Sequence, residues 1–179
     1  MTIRIAFPTA LLLLGALLAP AARAASTVPP PRVRIGVYDS RAVAIAYFGS
    51  AAFGQRLARL AAAADSARAA GDTARAGRLA RQGPALQVHA HERAFSTAGA
   101  RDLLAGFGDQ LPAIARDAGV VAIVSRWELP YAAPALEQVD VTLPLVRLFV
   151  PDAQARRILG QIEHVPPVPF DQVGLDPND

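Results

Sequence analysis

The stretch from Ala51 to Phe95 most constrains what this chain can fold into. Leu57, Leu60, Ala64 and Ala67 follow one another at intervals of three, four and three residues. Beyond Gly71-Asp72, the residues Ala76, Leu79, Gly83, Leu86 and Ala90 repeat the pattern. Side chains three and four apart share one helix face, so each half carries a single apolar seam of the coiled-coil kind. Gly71-Asp72 between them is a turn signal. Two helices folded back on each other follow, and at about 1.5 Å per residue each limb reaches roughly 30 Å. Short strand-like segments precede and follow this hairpin. The expected fold class is therefore α+β, a small β-sheet body with a protruding antiparallel helical hairpin arm over residues 51–95.

Composition limits the core of that body. The 179 residues allow one domain and hardly two. Hydrophobic residues make up 53%, but much of this is alanine and only 6% is aromatic, so the core is thin. There is no cysteine, which excludes a disulfide framework and thiolate chemistry. All 18 basic residues are arginine. They are unevenly spread. From Ala51 to Arg101 eight arginines face Asp65, Asp72 and Glu92, a net of +5, whereas Asp102 to Asp179 carries five arginines against eleven carboxylates, a net of −6. A basic arm on an acidic remainder points to acidic or polyanionic partners, or else to a solvated helix surface.

Met1 to Ala24 has the pattern of a secretory signal: Arg4, an apolar run from Ala10 to Leu18, and the small-x-small sequence Ala22-Arg23-Ala24. Cleavage after Ala24 is expected, with an uncleaved N-terminal anchor as the alternative. In Arg32 to Asp39, Val33, Ile35 and Val37 alternate with Arg34, Gly36 and Tyr38, the mark of a half-buried strand. Asp39 or Ser40 caps a helix starting near Ala42, and Gly49-Ser50 kinks it before the arm. In the returning limb Gly77, Gly83 and Pro84 predict a bend near Gln82 to Pro84. A helix from Arg101 to Ala118, kinked or restarted at Pro112 and ended by Gly119, leads into an apolar strand from Val120 to Val124. Tyr131 to Gln138 reads as loop or a short strand edge. Asp140-Val141-Thr142 caps a helix from Leu143 to Phe149. Pro151-Asp152 opens a last helix with Ile158, Leu159 and Ile162 on one face, and Val165 to Asp179, with four prolines, reads as an extended or disordered tail.

Little in the sequence carries catalytic chemistry. His89 and His91 stand two apart on an expected helix and so cannot share one metal, and no zinc-protease spacing surrounds His91-Glu92. With His164 they read as surface histidines. There is no glycine-rich phosphate loop and no nucleophile elbow. Asp39-Ser40 has no histidine nearby to act as a base and reads as a helix cap. Trp127 is either an exposed partner anchor or packing on the sheet edge. The arm's arginines remain. Arg75, Arg78 and Arg81 recur every three residues near the tip, with Arg68 across the turn. Arginine forks suit carboxylate and phosphate. No aromatics interleave with them, so nucleic acid is a poor partner, and lipid headgroups or unfolded polypeptide fit better.

The order of these elements resembles a known family. The strand Ile35-Gly36-Val37-Tyr38-Asp39 is followed by a helix extending into a hairpin arm. Ala115-Arg116-Asp117-Ala118-Gly119 leads into Val120 to Val124, and Pro130-Tyr131 is followed by Val139-Asp140-Val141-Thr142 and a short helix. Over roughly Val33 to Phe149 this resembles the Skp (OmpH-like) family of periplasmic chaperones. The resemblance implies a signal peptide over residues 1–24, a Skp-like domain over 25–150 and an extra C-terminal helix and proline-rich tail over 151–179. It implies a homotrimer whose strands share a core, with Ile35, Val37, Val121 and Ile123 as candidate oligomer residues. It also implies basic arms around a cavity for unfolded outer-membrane proteins, with Arg68, Arg75, Arg78 and Arg81 as candidate client-binding residues. This arm is shorter than the family's, is interrupted by Gly83-Pro84 and has no lysine. The expected function is that of an exported, periplasmic holdase for unfolded outer-membrane or envelope proteins. Its expected partners include the membrane surface or lipid headgroups but no nucleic acid. No catalytic residue, cofactor or metal is expected. The alternative is a non-enzymatic envelope structural or adaptor protein of the same fold.

Overall fold

A computed structural model describes residues 32–173; the expected signal sequence and its cleavage site lie outside them, as do the last residues of the tail. The fold is α+β, with helices around a three-stranded parallel sheet. Strand β1 (Arg34–Tyr38) lies at its centre, between β2 (Ile123–Ser125) and β3 (Glu137–Asp140). Gly36 stands opposite Ile123 on one side and Val139 on the other. Because β1 is central in a parallel sheet, both its faces are covered. Ile35, Gly36, Val37 and Tyr38 are all buried, where the alternation predicts one wet face.

Two elements of the sheet differ from expectation. The apolar run Val120 to Val124 does not pair along its length. Gly119 takes a left-handed conformation (φ 65°) to end the preceding helix, and the Val120 amide still donates back to Ala115. The chain then bends; the Val121 amide donates to the Arg34 carbonyl and the Ala122 carbonyl accepts from the Gly36 amide, and the paired register with β1 runs from Ile123. Val120 is buried, but Val121 is left 76% exposed. Conversely, the polar segment Glu137–Asp140, which offers little apolar signal, is a strand because β1 has a free side to template it.

Helix α1 (Ser40–Phe48) follows β1, and every residue from Ser40 to Ala46 is buried. A helix buried all round must be packed on several sides. It meets α3 (Thr73–Phe95), α6 (Thr142–Arg147) and α7 (Ala153–Ile162). The core gathers Tyr38, Val43, Leu104, Val141, Leu145 and Phe149. A smaller cluster joins Ile45 to Ala155 and Ile162 of α7. Gly49 ends α1 where any Cβ would collide with Ala155, so glycine is required there for α7 to dock. Ser50 begins a new helix, α2 (Ala51–Ala69), by accepting from the Phe53 amide at 3.2 Å. The expected kink at Gly49-Ser50 is thus a full break between helices.

Helices α2 and α3 are joined by Ala70, Gly71 and Asp72 and pack on each other. Their contact is alanine-based: Ala64, Ala67 and Ala76 are buried, whereas Leu57 is 36% exposed. Asp72 caps α3 by accepting from the Arg75 amide. Pro84, where a bend is expected, does not end the helix; α3 is helical through it. Proline there removes one donor, but α3 also packs on α2 and on α1. The expected helix over 101–118 is instead α4 (Arg101–Leu104), a 3-10 turn (Ala105–Phe107) and α5 (Leu111–Ala118). Pro112 sits in the first turn of α5, where no donor is needed. Finally, the segment after α7 is not free as far as Val173. It lies against the body by hydrogen bonds and ends in a 3-10 turn, Phe170–Gln172.

Candidate functional site

The residues singled out in the sequence fall into two separate places. Arg68, Arg75, Arg78 and Arg81 are all exposed on the α2–α3 pair. Arg68 pairs with Asp65 on its own helix, both groups well exposed. Among the described residues the other three make no ion pair. The second group is on the sheet. Ile35 (9% exposed) and Val37 (7%), candidate oligomer residues, are already buried within one chain. Ile123 is half-buried in β2, and Val121 is exposed outside it. The histidines do not meet. His89 faces Glu92 at 3.0 Å, the His91 ring lies 5.9 Å from that of Phe95, and His164 lies at the end of the chain's last long helix.

A further site lies at the carboxyl ends of the strands. All three strands run the same way, so the residues following them meet on one side of the sheet. Asp39 follows β1, Arg126 and Trp127 follow β2, and Thr142 follows β3. With Arg41 they line a cleft of about 800 Å³ whose far wall is His164 to Pro167. The chain leaves β1 through the helices to β2 on one side and then crosses from β2 to β3 on the other side of β1, which brings the segments after all three strands together here.

The cleft is built around a buried ion pair. Asp39 accepts from the Arg41 backbone amide (3.0 Å), Nε (3.1 Å) and Nη2 (2.7 Å), and from Trp127 Nε1 at 3.4 Å. Its own amide donates to Thr142 Oγ1 at 3.0 Å, tying β1 to the start of α6. Arg41 is 3% exposed and donates onward from Nη1 to the Val165 carbonyl at 2.6 Å and from Nη2 to the Ile162 carbonyl at 3.4 Å. The Trp127 ring lies 5.5 Å from the Arg41 guanidinium and 5.9 Å from that of Arg126, which in turn pairs with Asp140 at 2.9 Å. Burial alone would raise the Asp39 carboxyl, but the hydrogen bonds and charge of Arg41, with the Trp127 bond, outweigh it and hold it below the usual carboxylate range. An ionised carboxylate with this many donors is an anchor and a poor proton acceptor. Next to it, burial, with Glu128 and Asp102 nearby, pushes the Tyr38 hydroxyl up to about 12.

Sequence reasoning places Asp39 correctly as a cap and misses its partner. The signal was available: Arg41 stands in Ser40-Arg-Ala-Val-Ala-Ile-Ala, a charge inside an otherwise apolar run. A charge so placed is buried only when it is paired. Trp127 is half-buried at the end of β2, with its indole nitrogen bonded to Asp39. No protein-family model, no curated protein and no solved structure matches this chain.

Proposed function

We propose that this chain is an exported, non-enzymatic holdase of the Skp-like kind, acting on unfolded outer-membrane or envelope proteins in the periplasm. In this reading the α2–α3 pair is a protruding arm and its arginines meet the client. The observation that carries the reading is the surface of that pair: four exposed arginines along two helices joined by an alanine seam. The element order adds support, since a strand, a helix, a helical pair, further helix, a second strand and a later short helix follow one another as the resemblance implies, with β3 as an addition to it. Three chains assemble through the strand region, where Val33 (57% exposed) and Val121 (76%) leave apolar surface at the amino ends of the strands. Acidic segments and lipid headgroups are further partners of the arm. The test is suppression of aggregation of a urea-unfolded outer-membrane protein diluted into buffer. The wild-type chain should suppress it near stoichiometry. A variant with Arg68, Arg75, Arg78 and Arg81 changed to glutamate should lose most of that effect at low salt while keeping its oligomeric state. If neither protein suppresses aggregation, the adaptor reading replaces this one.

A further inference from the structure

The segment from His164 to Gln172 is attached to the body in an unusual way. It buries almost none of its own apolar side chains: Val165 is 52% exposed, Val168 43% and Phe170 54%. Its attachments are nearly all through backbone. The Val168 amide donates to the Phe95 carbonyl at 2.9 Å, and the Thr97 amide donates to the Val168 carbonyl at 3.0 Å, so Val168 brackets Ser96 as a parallel bridge. The Phe170 amide donates to Thr97 Oγ1 at 3.0 Å. Upstream, the Val165 carbonyl accepts from Arg41. The receiving edge has hydrogen bonds of its own. Ser96 is fully buried, and its hydroxyl donates to the Glu92 carbonyl and accepts from the Ala98 amide. Arg41 is also held by Asp39, through bonds separate from the one it makes to the segment.

From this we infer that Phe95–Thr97 and Arg41 form a groove for an extended polypeptide, which the chain's own segment 164–172 occupies and an unfolded client segment can take in its place. This deepens the holdase reading and rests on it for the identity of the occupant. Recognition through backbone donors and acceptors does not depend on sequence, which suits a partner that is unfolded and various. A segment held by a few backbone bonds with its side chains in water opens at low free-energy cost, so it can yield to a competitor. The groove also lies where α3 returns to the body, so its occupant is placed next to the base of the helical pair.

The experiment uses the full chain and a fluorescent synthetic peptide with the sequence of residues 163–173. Val168→Pro removes the amide that bonds Phe95 and keeps the segment extended. A second variant replaces Pro166, Pro167, Val168 and Pro169 with glycine, which loosens the segment by entropy. Both should speed exchange of the Thr97 amide at least tenfold. Both should bind the peptide at least tenfold more tightly than wild type, and saturating peptide should restore Thr97 protection. If Thr97 stays protected in both variants, the segment is a fixed part of the fold and the proposal is overturned. It is equally overturned if Thr97 is released but peptide affinity does not rise. Peptide binding without suppression of aggregation leaves the groove standing and removes the holdase reading instead.

Discussion

Helices α1 and α3 pack on each other, yet one is surrounded by neighbours and the other is not. Along α1 the residues from Ser40 to Ala46 are all buried, and Val43 and Ala46 pack among Tyr38, Leu145 and Phe149. Along α3, more than twice as long, Ala76 is the one buried residue. Burial is worth about 25 cal/mol per Å² of apolar surface, and alanine has little to bury. The body should therefore unfold cooperatively, whereas the α2–α3 pair is held by alanine contacts and by its junction with α1. The charges divide in the same way. The body hides Asp39 and Arg41 from water, while the pair displays Arg68 and Asp65 to it.

The largest effect should come from that ion pair. Asp39→Ala leaves the Arg41 guanidinium buried without its carboxylate, which typically costs about 3–5 kcal/mol. Asp65→Ala on the exposed pair should cost less than about 1 kcal/mol. Urea denaturation of the two variants measures the difference, and equal costs would break the contrast between the regions. The acid limb gives a second reading of the same group. The Asp39 carboxyl is held below its unfolded value, so its stabilisation is present above the ordinary carboxylate range and is lost as pH falls through the lower folded value. Wild type should lose stability there, and Asp39→Asn should flatten that limb.

Next in size is a pair of leucines. Leu145 is fully buried in the main core, and truncation to alanine should cost about 2–5 kcal/mol. Leu79, half-buried on α3, should cost under about 1 kcal/mol on the same assay. A loss at Leu79 as large as that at Leu145 would mean that the pair folds with the body as one unit.

Alkaline titration separates the regions by a group that only one of them has. Tyr38 is buried in the core, and its hydroxyl is pushed up to about 12. The raised value favours the neutral form in the folded chain. Its contribution is complete below the ordinary tyrosine value near 10 and is lost as pH rises through the folded value. Stability should fall by on the order of 2 kcal/mol across that window. Tyr38→Phe should remove most of the dependence, and an unchanged alkaline limb in that variant would place the titrating group elsewhere.

What the sequence makes legible follows the same division. The helical pair is visible because its three-and-four spacing is local, and each element needs only its own residues to declare itself. Strand β1 is visible by alternation, but its burial on both faces is not, since that depends on helices distant in sequence. Strand β3 is only partly legible: a strand edge is one of two readings up to Gln138, and because Glu137, Gln138 and Asp140 are polar, only the open side of β1 makes them a strand. The segment after α7 is hidden for a related reason. Prolines mark it as extended, yet its attachment to Ser96 and Thr97 is through backbone, which leaves no trace in side-chain pattern. The candidate arginines on the pair are plain from their spacing. The Asp39–Arg41–Trp127 group is only half legible, because Trp127 reaches Asp39 across 88 residues of chain.

The smallest effect on overall stability should come from Pro84→Ala. Proline in a helix interior costs about 3 kcal/mol relative to alanine, because it lacks a donor and crowds the preceding turn. In α3 that cost falls on an exposed turn of a helix fixed at other points by α2 and by α1. If the pair opens separately from the body, removing the proline stabilises only the local closed state. The global urea midpoint should then correspond to a change of less than about 0.5 kcal/mol. Amides of Ala80 to Ala90 should nonetheless exchange at least about tenfold more slowly, because opening them now breaks one more hydrogen bond and a better helix. The amides of Ile35 to Tyr38 should not change. A rise of several kcal/mol in the global value, with β1 slowing in step with α3, would mean that the two regions unfold together. The alanine seam would then be as firm a contact as the core around Leu145.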